Sequence, residues 1–227
     1  MKAKRVIRRL LSRVFGRPVS EARKYAERAG MISFDIFDTL IKRTCLPHEV
    51  FSLVQDKYNS SHAAKISSFT EDRICAERTA RAQGLRDEVT LGEIYGSFSG
   101  RYGQDELAEL QALEIEAELE AVYPDDEVKA FYDSMLEEGR RVIITSDMYL
   151  PVKVIEDILR RCGYVGCEGL YVSSEYGTTK RCGKLFRCVI DEEGLPASSI
   201  LHIGDNIISD FLVPNRLGIK GFLYRCS

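Results

Sequence analysis

Four short polar clusters in this 227-residue chain have the residue types and spacing for chemistry on an anionic group. Asp35, Asp38 and Thr39 follow the apolar stretch 31–34, and Ser146 and Asp147 close the apolar run 141–145. Lys180 precedes a helical stretch, and Asp205 and Asp210 lie just beyond the run 199–203. A buried strand that stops on an acid puts that acid at the carboxyl edge of a sheet, where open α/β folds hold their ligands. Alone, the Asp35 stretch reads equally well as a strand followed by an Asp-rich turn. The company it keeps decides otherwise. If the four strands are parallel, one hydroxyl, one lysine and three or four carboxylates share a crevice. Several carboxylates cannot all stay ionised at short range without a cation between them. Oxygen ligands beside a hydroxyl and a lysine suit Mg²⁺ holding a phosphate.

The elements that must position these groups follow from the periodicity. From Pro124 onward helices and strands alternate: helix 126–138, strand 141–145, helix 152–162, strand 169–173, helix 183–193, strand 199–203, helix 207–217 and strand 220–224. That rhythm implies a parallel, doubly wound α/β sheet. The strand 31–34 has no such rhythm beside it and belongs to the same sheet, so the section after it is an insertion. Residues 45–123 read as helical, with no strand pattern between about 45 and 138. Val50, Phe51 and Val54 lie at helical spacing, Thr70-Glu71-Asp72-Arg73 heads a helix that Gly84 ends, Thr90 and Glu93 have capping-box spacing, and a long helix covers 104–122. The glutamates of that long helix (Glu106, Glu109, Glu114, Glu116, Glu118, Glu120) read mostly as a solvated face. Arg73, Glu77 and Arg81 share a helical face, as substrate contacts or as an intrahelical ion-pair ladder, the ladder being the simpler reading.

Composition is that of an ordinary soluble protein, 44% hydrophobic and 30% charged, with no obvious repeat. Residues 1–30 carry ten Lys/Arg against two Asp/Glu, so the remainder is strongly acidic and is not expected to bind nucleic acid. In 2–17 an apolar face (Val6, Ile7, Leu10, Leu11, Val14, Phe15) opposes an arginine-rich one. This pattern fits a membrane-surface or partner-binding helix, or a helix packed on its own domain. The arginines interrupt it too often for a secretory signal, whereas an organellar transit peptide would look similar in a eukaryotic source. No apolar run approaches the roughly 18 residues a span needs. The seven scattered cysteines form no Cys-x-x-Cys pair, which fits reduced thiols in a cytoplasmic protein, peripheral at the membrane if the basic helix docks there.

With these motifs in order, the chain from about Met31 to its end resembles the haloacid-dehalogenase-like superfamily. Asp35-Ile36-Phe37-Asp38-Thr39 resembles its first motif, Ser146 its second, Lys180 its third and Gly204-Asp205 with Asp210 its fourth. The wording FDIFDTL, SDMYL and HIGDN is closest to an uncharacterised bacterial branch associated with surface-polysaccharide genes. The resemblance implies a Rossmann-like core (31–44 and 124–227), a helical cap (45–123) and a basic extension (1–30). It also implies a hydrolase in which Asp35 is the nucleophile of an aspartyl-phosphate. Asp205, Asp210 and the Phe37 carbonyl would join Asp35 around Mg²⁺, Lys180 would neutralise the transferring group, and Ser146 with groups near Asp38 and Thr39 would hold a small phosphorylated substrate. Asp147 would reach substrate or, as the favoured reading, cap the next helix, and His202 would be a hydrogen-bonded core residue. One departure stands out: the family's phosphatases carry a general-acid Asp where this chain has Phe37. Its dehalogenases have an aromatic residue there and need no metal. A metal-independent 2-haloacid dehalogenase and a non-catalytic module docked by the basic helix are therefore the alternatives.

Overall fold

The computed structural model describes residues 14–225. The amphipathic stretch 2–17 therefore lies almost wholly outside the described residues, although Val14 and Phe15 at its end are exposed. Five parallel strands form one sheet in the order β5–β4–β1–β6–β7: β1 is Met31–Phe34, β4 Val142–Ser146, β5 Gly169–Val172, β6 Ile200–Gly204 and β7 Lys220–Leu223. β1 is central, with Phe34 beside Ile144 on one side and Ile203 on the other. Its four residues are all buried because both faces of the sheet are covered, which is why the sequence there does not alternate.

Alternate residues of each strand serve opposite faces. Ile32, Phe34, Val142, Ile144, Leu201 and Ile203 pack with helices Asp126–Glu137 and Val152–Arg161. Met31, Ile143 and Ile200 pack with helix Lys184–Glu193 through Leu185, Phe186 and Val189. The last helical stretch is divided between a π-helical turn, Ile207–Leu212, and the short helix Val213–Arg216.

Between β1 and β4 the chain leaves the sheet along β2 (Ile41–Arg43) and returns along β3 (Val122–Pro124), which pair antiparallel with Arg43 opposite Val122. Helices Val50–Ser61, Phe69–Gln83, Leu91–Gly96 and Gln104–Glu120 lie between them. β3 corrects the expectation of no strand in this section. It is three residues long, too short for a period of two to register, and is held by its pairing to β2. The helix expected to start at Thr70 begins one residue earlier, after Ser68, whose hydroxyl donates to Asp72. Thr90 and Glu93 do form the capping box: Glu93 N–H donates to Thr90 Oγ1 at 3.2 Å, and Thr90 N–H to Glu93 Oε2 at 2.7 Å.

Arg73 is the largest fully buried side chain of the described residues. Its Nε and one terminal nitrogen both donate to Glu114 at 2.8 Å, and Tyr95 and Tyr149 donate to the same carboxylate. Glu118, also buried, pairs with Arg43. Two members of the glutamate face assigned to solvent are therefore interior. An arginine brought inward needs a buried counter-charge, and helical spacing from Leu110 puts Glu114 and Glu118 on the inward side. Arg73 and Arg81 both contact Glu77, so the ladder is present alongside this larger network.

Candidate active site

β1 delivers Asp35 to the carboxyl edge of the sheet, where its N–H donates to Ile203 C=O at 2.9 Å. The chain then turns sharply. Asp38 has φ +64°, a left-handed conformation that Asp tolerates better than most side chains, and its N–H donates to Ile41 C=O at 2.9 Å. The turn brings Thr39 back beneath the nucleophile candidate, its hydroxyl donating to Asp35 Oδ2 at 3.2 Å. Phe37 points elsewhere: the Arg43 guanidinium lies over its ring, 4.5 Å from the centroid.

Lys180 joins the sheet edge from the loop before helix Lys184–Glu193. Its ammonium donates to Asp35 Oδ1 at 2.5 Å and to Asp210 Oδ1 at 2.7 Å, and the side chain is 2% exposed. Burial alone would favour the neutral amine; Asp210 and Asp35 outweigh it and raise its pKa above the ordinary lysine value. Asp210 is held well below the usual carboxylate range in the same way, Lys180 and His202 overcoming the cost of burial.

His202 on β6 is buried, and burial pushes its pKa down to about 4, so the ring is neutral. Nε2 lies 3.2 Å from Asp210 Oδ1 and Nδ1 lies 2.8 Å from Ser33 Oγ, which is 2.9 Å from Thr145 Oγ1. A neutral imidazole donates from one nitrogen only. The row consequently runs one way, from Thr145 to Ser33 to His202 to Asp210. Ser33 and Thr145, each inside an apolar strand, are what sequence reasoning missed; a hydroxyl in the middle of a central strand was the available signal.

Asp205, 1% exposed, completes the edge: one ligand atom from each of Asp35, Asp205 and Asp210 lies within 4.8 Å of the others. Ser146 Oγ is buried at the end of β4 without a hydrogen-bond partner among the described residues. Asp147 does not cap the following helix, whose N-cap is Pro151 with no side-chain bond. Its Oδ1 instead accepts the Lys180 N–H at 2.6 Å and its Oδ2 the Arg181 N–H at 3.4 Å. Arg73 and Arg81 are engaged by Glu114, Glu77 and Glu88.

A doubly wound parallel sheet with helices inserted after its first strand is a fold this chain shares with solved enzymes of the haloacid-dehalogenase-like class. Over 70 residues the chain is 37% identical to haloacid dehalogenase-like hydrolase domain-containing protein 3 of Danio rerio, a match spanning 30% of this chain and 29% of that protein. It shares its fold with a HAD family enzyme of Bacteroides thetaiotaomicron, a variant solved with magnesium and inorganic phosphate (TM-score 0.58, 14% identity, 87% of this chain and 94% of that one). The L-2-haloacid dehalogenase of Xanthobacter autotrophicus, solved with chloropropionic acid covalently bound, has the same fold (TM-score 0.54, 11% identity, 84% and 75%). No protein-family model matches the chain. The six cysteines among the described residues are free thiols, and no helix among those residues is long and apolar enough to cross a membrane.

Proposed function

We propose that the protein is a Mg²⁺-dependent phosphohydrolase acting through an aspartyl-phosphate on Asp35. The observation that carries this reading is the gathering of Asp35, Asp205 and Asp210 around one point, with the Lys180 ammonium bonded to two of them. Three buried carboxylates at short range repel one another, and an all-oxygen donor set suits a hard divalent cation. The buried Ser146 hydroxyl, which lacks a hydrogen-bond partner among the described residues, is a donor free for a group from outside. Asp35, Asp205, Asp210 and the Phe37 carbonyl would hold Mg²⁺, which supplies charge stabilisation for the transferring phosphoryl group.

An Asp35 oxygen attacks phosphorus, and the bond from phosphorus to the leaving oxygen breaks with its electron pair departing on the leaving group. Lys180, bonded to Asp35, offsets the charge of the transferring group, Thr39 steadies the Asp35 carboxylate, and Ser146 and backbone N–H groups near Asp38 orient the phosphoryl oxygens. Water then attacks the aspartyl-phosphate at phosphorus, releasing phosphate and restoring the carboxylate. With Phe37 in the place of a general acid, and its ring under Arg43, the leaving group takes its proton from solvent. Alkyl esters, whose leaving groups need a proton, lose the roughly 10²–10⁴-fold that a general acid supplies, which favours substrates whose leaving groups need none, such as acyl phosphates.

Phosphate release from a panel of acyl phosphates and phosphomonoesters, with Mg²⁺ and with chelator, tests the reading. The expected result is Mg²⁺-dependent turnover that Asp35→Asn abolishes. Phe37 alone favours a second reading, metal-independent dehalogenation; chloride release from 2-haloacids in chelator would establish it instead. Turnover of neither class, with residues 2–17 binding lipid vesicles or a protein partner, would leave the non-catalytic module.

A further inference from the structure

Lys180 stands on the segment between helix Ser173–Tyr176 and helix Lys184–Glu193, bounded by two glycines with positive φ, Gly177 and Gly183. Some bonds of this segment are local, Gly183 N–H donating to Lys180 C=O at 2.9 Å and Cys182 N–H to Thr179 Oγ1 at 3.3 Å. Others reach Asp87, which accepts from Thr178 Oγ1 at 3.1 Å and donates its N–H to Gly177 C=O at 3.1 Å. The N–H of Lys180 has a third kind of partner. It donates across to the end of β4, to Asp147 Oδ1 at 2.6 Å, and the next N–H, of Arg181, approaches Oδ2 of the same carboxylate. Lys180 is thus gripped twice, by Asp35 and Asp210 at its ammonium and by Asp147 at its backbone. A four-carbon stem transmits any shift of its Cα to the ammonium, and the ammonium has to fall between two particular carboxylate oxygens.

We propose that Asp147 is a positioning residue, whose carboxylate fixes the backbone of Lys180 and so sets where the ammonium stands against Asp35. Two acceptors on one short side chain match two successive N–H groups, which explains an acid directly after Ser146 that does not cap the next helix and, among the described residues, forms no ion pair with a cation side chain. The kinetic side of this inference rests on the phosphohydrolase reading; the structural side does not.

The test compares wild type with Asp147→Ala and Asp147→Asn, in turnover of acetyl phosphate with Mg²⁺ and in the amide resonance of Lys180 by NMR. Misplacing a catalytic group by about 1 Å costs on the order of 10²-fold, so Asp147→Ala is expected to lower kcat by about 10- to 100-fold with KM nearly unchanged. Asp147→Asn keeps one acceptor and recovers part of that loss. The Lys180 amide resonance moves in both variants. A rise in KM at unchanged kcat would make Asp147 a substrate contact and overturn the proposal, as would a Lys180 amide that does not move. Should Asp147→Ala fail to fold, Asp147→Asn and Asp147→Ser carry the same comparison. If wild type turns over no phosphorylated substrate, the phosphohydrolase reading falls, and the amide resonance alone decides whether Asp147 holds Lys180.

Discussion

A Cβ added to Gly204 would lie 2.5 Å from Cγ of Asp210, closer than any real contact of that kind. The last residue of β6 is therefore glycine because the Asp210 carboxylate rests against it. From there Oδ2 accepts the Asn206 N–H at 2.8 Å while Oδ1 meets Lys180 and His202. Gly204→Ala pushes Asp210 out of the acid cluster without removing any charge. Supporting residues of this kind typically contribute 10- to 100-fold in metal affinity, so Mg²⁺ should bind about 10- to 100-fold more weakly to this variant. Calorimetric titration of Mg²⁺ measures it, and an unchanged dissociation constant would mean that Asp210 is not needed around the ion.

The interior of the cap depends on Arg73. It brings a full charge among Phe51, Tyr95 and Tyr149, neutralised by Glu114 on another helix. Breaking a buried pair by removing one partner typically costs 3–5 kcal/mol, because the other charge is left buried. Arg73→Met is expected to lose about 3–5 kcal/mol in urea unfolding, and Arg73→Met with Glu114→Leu to recover most of it. A double variant no more stable than the single one would show that Glu114 is needed for more than balancing Arg73.

Ser146 and Ser33 are both buried serines at the sheet, yet they separate stability from function. Ser33 bonds to Thr145 and His202, so Ser33→Ala leaves two neighbours short and should cost about 1–3 kcal/mol. Ser146 Oγ makes no hydrogen bond among the described residues, and Ser146→Ala should leave stability within about 1 kcal/mol of wild type or raise it slightly. If that hydroxyl serves the phosphoryl group, Ser146→Ala should still lower kcat/KM by about 10-fold or more. Equal effects of the two substitutions on stability would remove the distinction.

The core of this fold was legible because its strands are continuous apolar runs and its polar residues cluster where they end. Asp35, Lys180, Asp205 and Asp210 were legible as neighbours because parallel strands must end on one edge. The cap was legible only as helices. Which glutamates turn inward depends on where Arg73 and Arg43 sit in space, and a helix rich in glutamate along its length shows no clear apolar stripe to orient it. β3 and the turn of Asp147 toward Lys180 share a cause: each is defined by a partner distant in sequence, Ile41–Arg43 in one case and the Lys180 backbone in the other.

Asp147 also gives a pH signature. Burial raises its pKa to about 6, with Asp210 and Glu88 pushing the same way and Lys180 only partly opposing them. An acid whose pKa is higher in the folded state than in the unfolded chain keeps its proton longer when folded. As pH rises from about 4 to 6 the unfolded chain ionises first, so wild type loses stability across that window on account of this residue. Asparagine does not titrate. The stability of Asp147→Asn relative to wild type should therefore increase by about 1–3 kcal/mol between pH 4 and 7, most of it below about pH 6. Urea unfolding at a series of pH values measures the difference. A constant offset would mean that Asp147 ionises as freely in the fold as out of it. A difference of the expected sign means that an ionised carboxylate is kept where it weakens the fold, as holding Lys180 against Asp35 would require.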